Sequence, residues 1–426
     1  MTTKPTTIAV SKAHKFPKLY VSTVSITLPS DFVLVDALTR DGMAFVRDGE
    51  GMVARGDVLR LNATGPARIA ALEEQWRQIC SLAEVTDSTP GSGRGLVAFG
   101  SIAFDDFSDW TSSLIVPEQI LGFRNGRAWL TRISTEPQPE KPAFNAEEWV
   151  EAWPKQPPVL LGAGALDEPD FENLVTLALQ KLEKHDLEKV VLSRDISAAV
   201  PLDFDPRPAI GRLAKRYPSC WTYWVNDRFG ASPELLVRVD HGRFSARVLA
   251  GTAGRGTDPD VDRAIAGALT NSPKNAVEHR LAVESLVTAL EPYCTEIVAD
   301  STPFSLALPN VWHLASDVQG ILAEDSSVLD LASALHPTAA VAGTPRDTAM
   351  ALIRDLEPFD RGSYAGPVGW IGADGDGEWV IALRGAVLSE GRVTAHAGCG
   401  IVLGSNPSAE LAETELKFQP IRHALG

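Results

Sequence analysis

Helices and hairpins follow one another irregularly along this chain, and that irregularity limits the fold more than any single residue does. From Asp170 onward a helical stretch (FENLVTLALQKLEKHD) leads into an apolar strand (KVVLSRDISAAV), and a second helix near PRPAIGRLAKRY leads into CWTYWVN. The hairpin ELLVRVDHGRFSARVL, turning at His241-Gly242, precedes a long helix over AVEHRLAVESLVTAL. Strands then occupy VWHLASDVQG, VGWIGADG, EWVIALRGAVL and RVTAHAG. A doubly wound nucleotide fold needs strict strand–helix alternation, so this order predicts an α+β fold with largely antiparallel sheets. Residues 1 to about 165 carry short apolar runs with period-two patterning and Gly or Asp punctuation, the signature of antiparallel strands, around one helix at ARIAALEEQWRQICSLA. Pro-rich stretches at 134–144 and 156–170 mark candidate boundaries, dividing the chain into 1–165 and 166–426.

The formal charge of −16 argues against nucleic acid or an anionic membrane as partner. It leaves room for a small anionic substrate, because a local cationic cluster or a metal reverses the field near a site. Cys80, Cys220, Cys294 and Cys399 lie far apart with no CxxC pair, which suggests neither a zinc site nor a disulfide scaffold. The first twenty residues hold no apolar run of signal-peptide length, and no stretch approaches the roughly 20 apolar residues of a membrane span. A soluble, reduced, cytoplasmic protein is expected.

The strongest chemical pattern lies at the C-terminus, in AHAGCGIVLGSNPSAELAETELKFQP. A Gly-rich turn there enters a helix in which offsets of three and seven residues put Glu410, Glu413 and Lys417 on one face. Two carboxylates and an ammonium in one stripe can hold a divalent cation and an anionic ligand together. Upstream, Lys189 opens KVVLSR and shares a strand face with Val191 and Ser193. Half-buried, such a lysine is usable as a general base; in water it is an ordinary edge-strand charge. Glu234 follows a Ser-Pro turn in GASPELLVRV, where a desolvated carboxyl would be a general acid and a solvated one merely a turn residue. LAGTAGRGTD (249–258) reads as a Gly-rich loop with exposed N–H groups, and GADGDGE (372–378) as a hairpin turn rather than a calcium loop. Glu278 lies on a helix where a solvated charge is the ordinary reading, and His313 lies in a strand with apolar neighbours. Arg384, a charge in the apolar strand WVIALRGAV, needs a partner, for which a carboxylate ligand is one candidate.

Taken in order, KVVLSR, ASPELL, LAGT, the EH-bearing helix, HL in a strand, LHPTAAVAGTP, RGSYAGPVGW, IALRGA and AGCGIVLGSNPSAELAETELK resemble the chorismate-utilising enzymes over about residues 168–424. These comprise isochorismate, salicylate, anthranilate and aminodeoxychorismate synthases. The resemblance implies one composite fold of two packed, largely antiparallel sheets flanked by helices, with 1–165 as its more variable part. It implies that Lys189 is the general base and Glu234 the general acid. Glu278 and Glu413, with Glu410 assisting, would ligate Mg²⁺, while Arg384 and Lys417 would hold substrate carboxylates. Gly251, Thr252 and Gly400 match ligand-contacting loops, and His313, Ala340 and Tyr364 match further substrate-binding positions.

Within the family, Lys189 points to water rather than ammonia as the nucleophile. Ala250 stands where aminodeoxychorismate synthases carry a nucleophilic lysine. Ala340 favours the isochorismate branch over the salicylate branch, which tends to threonine there, while Tyr364 leans the other way. The expectation is a Mg²⁺-dependent isochorismate synthase acting on chorismate for menaquinone or siderophore biosynthesis, as a monomer or weak homo-oligomer. A salicylate synthase and a non-catalytic chorismate-binding subunit are the alternatives.

Overall fold

The computed structural model describes residues 16–426 apart from 88–90, 138–141, 185–186, 301 and 308–310, and omits the side chains at 87, 252, 274, 278 and 311. The sequence segment before residue 16 therefore lies outside the described residues. Among the described residues, strands assemble into a 13-stranded sheet and a 10-stranded sheet. Among the described residues every pair is antiparallel except Tyr20–Ile26 with Glu84–Asp87. The α+β expectation with two largely antiparallel sheets is met. Strands from before and after residue 165 mix in both sheets: Met43–Arg47 pairs with Trp221–Val225 in the first, and Val97–Ser101 with Pro367–Gly372 in the second.

Period-two burial explains why the sheets stack. In Trp221–Val225 all five residues are buried, with Trp221, Tyr223 and Val225 in one core cluster and Trp224 in the other. Alternate side chains point to opposite faces, so a strand apolar on both faces must be covered twice. The first face meets the second sheet, where Phe99, Trp370 and Trp379 are 1% exposed or less. The other face is covered by helices Arg207–Arg216 and Pro407–Leu425, which bury Ile210, Leu213, Phe418 and Ile421 against Ala386 and Ala395. Beyond the second sheet, Arg68–Leu82 and Val328–Leu335 contribute Leu72, Trp76, Val328 and Leu329. The result is a helix–sheet–sheet–helix stack, in which each fully buried aromatic contributes several kcal/mol of burial.

Two local readings need correction. The Gly-rich 249–258 segment is not simply a loop: its first half continues the strand Arg243–Gly254, paired with Val311–Leu322 across a bulge between Leu249 and Thr252. Gly251 takes φ +85 in that bulge, a conformation that costs a glycine little. Arg384 is not inside a strand. The run EWVIALRGAV splits into Gly377–Ile381 in the second sheet and Gly385–Ser389 in the first, and 382–384 carry the chain across. Arg384 has φ 52, the left-handed turn that redirects the backbone. The 373–376 turn joins two strands as expected, and Asp376 is occupied in accepting from the His241 and Gly242 N–H groups at 2.6 and 3.0 Å.

Candidate active site

Two adjacent crossings between the sheets bring the first pair of functional side chains together. The chain leaves Arg228–Ser232 in the first sheet and enters Leu235–Asp240 in the second, with Glu234 at the crossing. It returns through 382–384, and the two crossings are tied to each other. Ile381 N–H donates to Glu234 O at 3.1 Å and Ala231 N–H to Arg384 O at 3.3 Å. The Ser232 hydroxyl accepts from Glu234 N–H at 3.2 Å and donates to Ile381 O at 2.5 Å. Tyr223 donates to Leu383 O at 3.1 Å while lying over Gly230 and Gly385, where a Cβ would come within 2.4 and 2.6 Å of its hydroxyl. Neither glycine position has room for a side chain.

Lys189 begins the strand Lys189–Ala199, which is flanked by Thr344 on one side and Val402 on the other. Its aliphatic stem crosses Gly400, where a Cβ would lie 2.6 Å from Lys189 Cε. Half-buried, it sits at the end of the strand next to the buried run Val190–Ile196. Lys417, one turn beyond Glu413 on Pro407–Leu425, donates to Gly398 O at 2.7 Å and pairs with Glu413 at 2.6 Å. The sequence-read stripe of Glu410, Glu413 and Lys417 is thus on a helix packed over the strand that carries Gly398 and Gly400.

Electrostatics links these pieces. Burial pushes the Glu234 carboxyl above its ordinary range, opposed by the positive charges of Arg384, Lys189 and Lys417. Burial also lowers His313, reinforced by Lys189 and Lys417 and opposed by a hydrogen bond with the Gly251 backbone and by Glu413. His313 is opposite Thr252 in the register. Residues from positions 189 to 417 therefore share one field, with Glu234 biased towards its neutral acid and His313 towards its neutral ring. Such an arrangement can donate a proton beside a cationic patch that attracts carboxylates.

The remaining expected residues fall as follows. Tyr364 is 5% exposed and stacks on His396 with centroids 5.2 Å apart, and burial raises its phenol to about 12. Ala340 is exposed in the turn just before 342–344, which bonds directly to the Lys189 strand. Thr252 and Glu278 have side chains outside the described residues. The helix bearing Glu278, Pro273–Leu290, is fastened one residue later: the buried His279 bonds Ala250 O at 3.0 Å and Ser316 Oγ at 2.9 Å.

Among the described side chains no three His, Cys, Asp or Glu groups converge as a ready metal cluster. Glu410 and Glu413 nonetheless supply hard oxygen donors on successive helical turns, both half-buried, and the charge of each is felt by the buried Cys399 thiol. That donor chemistry fits a hard divalent cation. The sequence reading assigned no role to Ser193, Glu357, Arg361 or His396, all buried around these segments. Only the i, i+4 spacing of Glu357 and Arg361 could have pointed to a pair.

Comparison with known proteins identifies the fold and the family. A protein of Mycobacterium tuberculosis (strain ATCC 25618 / H37Rv), assigned as isochorismate synthase MenF, is 42% identical over 292 residues, 64% of this chain and 78% of its own length. Isochorismate synthase EntC of Escherichia coli (strain K12) is 33% identical over 335 residues, 78% of this chain and 81% of its own. The structure of MenF, the menaquinone-specific isochorismate synthase from Escherichia coli, superposes with a TM-score of 0.75 at 24% identity, covering 96% of this chain and 95% of that one. This last likeness establishes the fold. With residues 35–426 matching the chorismate binding enzyme model, the chain belongs to the chorismate-binding enzyme family.

Proposed function

We propose that the protein is a Mg²⁺-dependent isochorismate synthase, converting chorismate reversibly to isochorismate for menaquinone or siderophore biosynthesis. The observation that carries this reading is the half-buried Glu234, held towards its acid form within one field shared with Lys189, Arg384 and Lys417. Relatives named as isochorismate synthases support it. Chorismate is a dianion whose C4 hydroxyl leaves poorly. Water adds at C2, the ring double bonds shift, and the hydroxyl departs from C4 as water.

In this reading Lys189 removes a proton from the attacking water and Glu234 gives one to the departing hydroxyl, so no net proton is gained or lost. Arg384 and Lys417 hold the substrate carboxylates. Gly251 and Gly400 let backbone approach the ligand, with Thr252, Ala340 and Tyr364 bordering it, and the neutral His313 offers a hydrogen bond without adding charge. Glu278, Glu410 and Glu413 would hold Mg²⁺, which neutralises the ring carboxylate and fixes the ring. Four unbridged cysteines support a reduced, cytoplasmic setting, and no helix of the described residues is long and apolar enough to cross a membrane.

Product analysis by chromatography after incubation with chorismate and Mg²⁺, without ammonia, tests the assignment. Isochorismate in equilibrium with chorismate is expected. Salicylate with stoichiometric pyruvate would move the protein to the salicylate branch, and no turnover would leave a binding subunit.

A further inference from the structure

Arg361 and Glu357 form an ion pair in which both side chains are 2% exposed. Arg361 Nε donates to Glu357 Oε2 at 2.8 Å and Nη2 to Oε1 at 2.6 Å. The fork has further acceptors: Nη1 donates to Val341 O at 2.9 Å and Nη2 to Val191 O at 2.7 Å. Glu357 Oε1 in turn accepts from Ser193 N–H at 2.7 Å and from its hydroxyl at 3.0 Å. The pair therefore joins three segments, and each carries a residue of the proposed site. Val191 and Ser193 follow Lys189 on its strand, Val341 follows Ala340, and Arg361 itself leads into Tyr364.

Stability alone is a weak reason for such a pair. Desolvating two charges costs about what their attraction returns, and apolar replacements of buried pairs are often neutral or better. What a planar guanidinium supplies beyond attraction is direction, because its five N–H groups fix several acceptors at once, whereas a lysine ammonium cannot reproduce that fork. The acceptors here are main-chain atoms of the segments whose relative placement decides where Lys189 stands.

We propose that Arg361 and Glu357 are positioning residues for the reaction, fixing the Lys189 strand against the Ala340 turn and the Tyr364 segment. This rests on the reading of Lys189 as the base. A second buried pair provides the control. Arg207 and Asp205, 6% and 5% exposed at their side chains, are joined at 2.7 Å, and Arg207 reaches Leu38 O and Glu151 rather than any segment of the site.

The full chain is prepared as wild type, Arg361→Lys, Glu357→Gln and Arg207→Lys. Melting temperature, kcat and KM for chorismate are then measured at saturating Mg²⁺, well below each melt. Displacing a catalytic group by about 1 Å costs on the order of 100-fold in rate. Arg361→Lys should therefore lose roughly 30- to 100-fold in kcat with KM within about threefold. Glu357→Gln, the milder change should the first variant not fold, should lose about tenfold by the same argument. Arg207→Lys should melt lower by a similar amount yet keep kcat within about twofold, since no site segment is attached to it. Unimpaired kcat in a folded Arg361→Lys or Glu357→Gln enzyme overturns the inference, as does equal kcat loss in Arg207→Lys. A wild type that makes no isochorismate overturns the functional reading and this inference together; normal wild-type turnover beside unimpaired variants overturns this inference alone.

Discussion

Gly400→Ala isolates the placement of the proposed base with the smallest available change. A Cβ at this position would lie 2.6 Å from Lys189 Cε and 3.4 Å from Nζ, with no backbone atom among its nearest contacts. Ordinary contact begins near 3.4 Å, so the lysine end must retreat by about 0.8 Å. A flexible four-carbon stem does this at little cost, and Gly400 has no positive φ to make alanine strained. Removing a glycine also lowers the entropy of the unfolded chain, worth up to about 1 kcal/mol in favour of the folded state. Melting should thus be unchanged or slightly higher. Catalysis should not be: a shift of this size in a reacting group predicts a kcat loss of roughly 30- to 100-fold. Steady-state assay of isochorismate formation, paired with thermal denaturation, reads both quantities. The division between kcat and KM separates the causes, because a methyl group that merely collides with chorismate raises KM. A Gly400→Ala enzyme with kcat within twofold of wild type and an unchanged melt would refute the placement of Lys189 as the base over Gly400.

Lys189→Ala should abolish turnover while leaving Mg²⁺-dependent chorismate binding intact by calorimetry; near-wild-type rates would remove Lys189 from the mechanism. Glu234→Gln should also abolish turnover, since an amide cannot supply the proton. It should have a pH-dependent effect on stability as well. Because burial raises the folded-state pKa of Glu234, the stability linked to its protonation is fully present below the unfolded value and is lost as pH rises through the folded one. Glu234→Gln should accordingly melt higher than wild type at pH 8, with the advantage gone near pH 4, and a constant difference across that range would contradict the burial argument. Glu413→Gln should raise the Mg²⁺ concentration needed for half-maximal rate, and unchanged Mg²⁺ dependence would take it off the ligand set.

How much was legible in the sequence depended on how local each signal was. The stripe of Glu410, Glu413 and Lys417 could be read because helical spacing alone sets it, and Pro407–Leu425 holds it. Alternation in CWTYWVN revealed a strand but not that both faces would be covered, which depends on elements far along the chain. Arg384 was misplaced for a physical reason: EWVIALRGAV is apolar on both sides of the sheet change, so hydrophobicity does not mark where the chain crosses. The Gly-rich 249–254 stretch concealed a strand because its pairing with Val311–Leu322 is supplied by residues more than fifty positions away. Arg361 drew no attention because two of its acceptors, Val191 and Val341, lie 170 and 20 residues distant. Family resemblance supplied the roles that spacing could not, and the electrostatic links of Glu234 and His313 to Lys189 and Lys417 are where geometry supports them.

The seam between the sheets is a natural location for the proposed acid, Glu234, and its neighbouring Arg384. Within a sheet, a side chain on a doubly covered strand enters one of two apolar cores, where a charge is expensive. At a crossing, the chain leaves one ladder before joining the next; Ala382 and Leu383 still reach a core there, while Glu234 and Arg384 belong to neither core cluster. Glu234 and Arg384 occupy neighbouring crossings, both half-buried, and their backbones are fastened to one another by the Ile381 and Ala231 N–H bonds. Those bonds hold the crossings still without using either side chain, which keeps carboxyl and guanidinium available to a ligand. Partial burial then raises the Glu234 pKa while the nearby cations of Arg384, Lys189 and Lys417 oppose the rise. Closing either crossing into continuous sheet would remove the seam and, with it, the balance on which the proposed role of Glu234 as an acid rests.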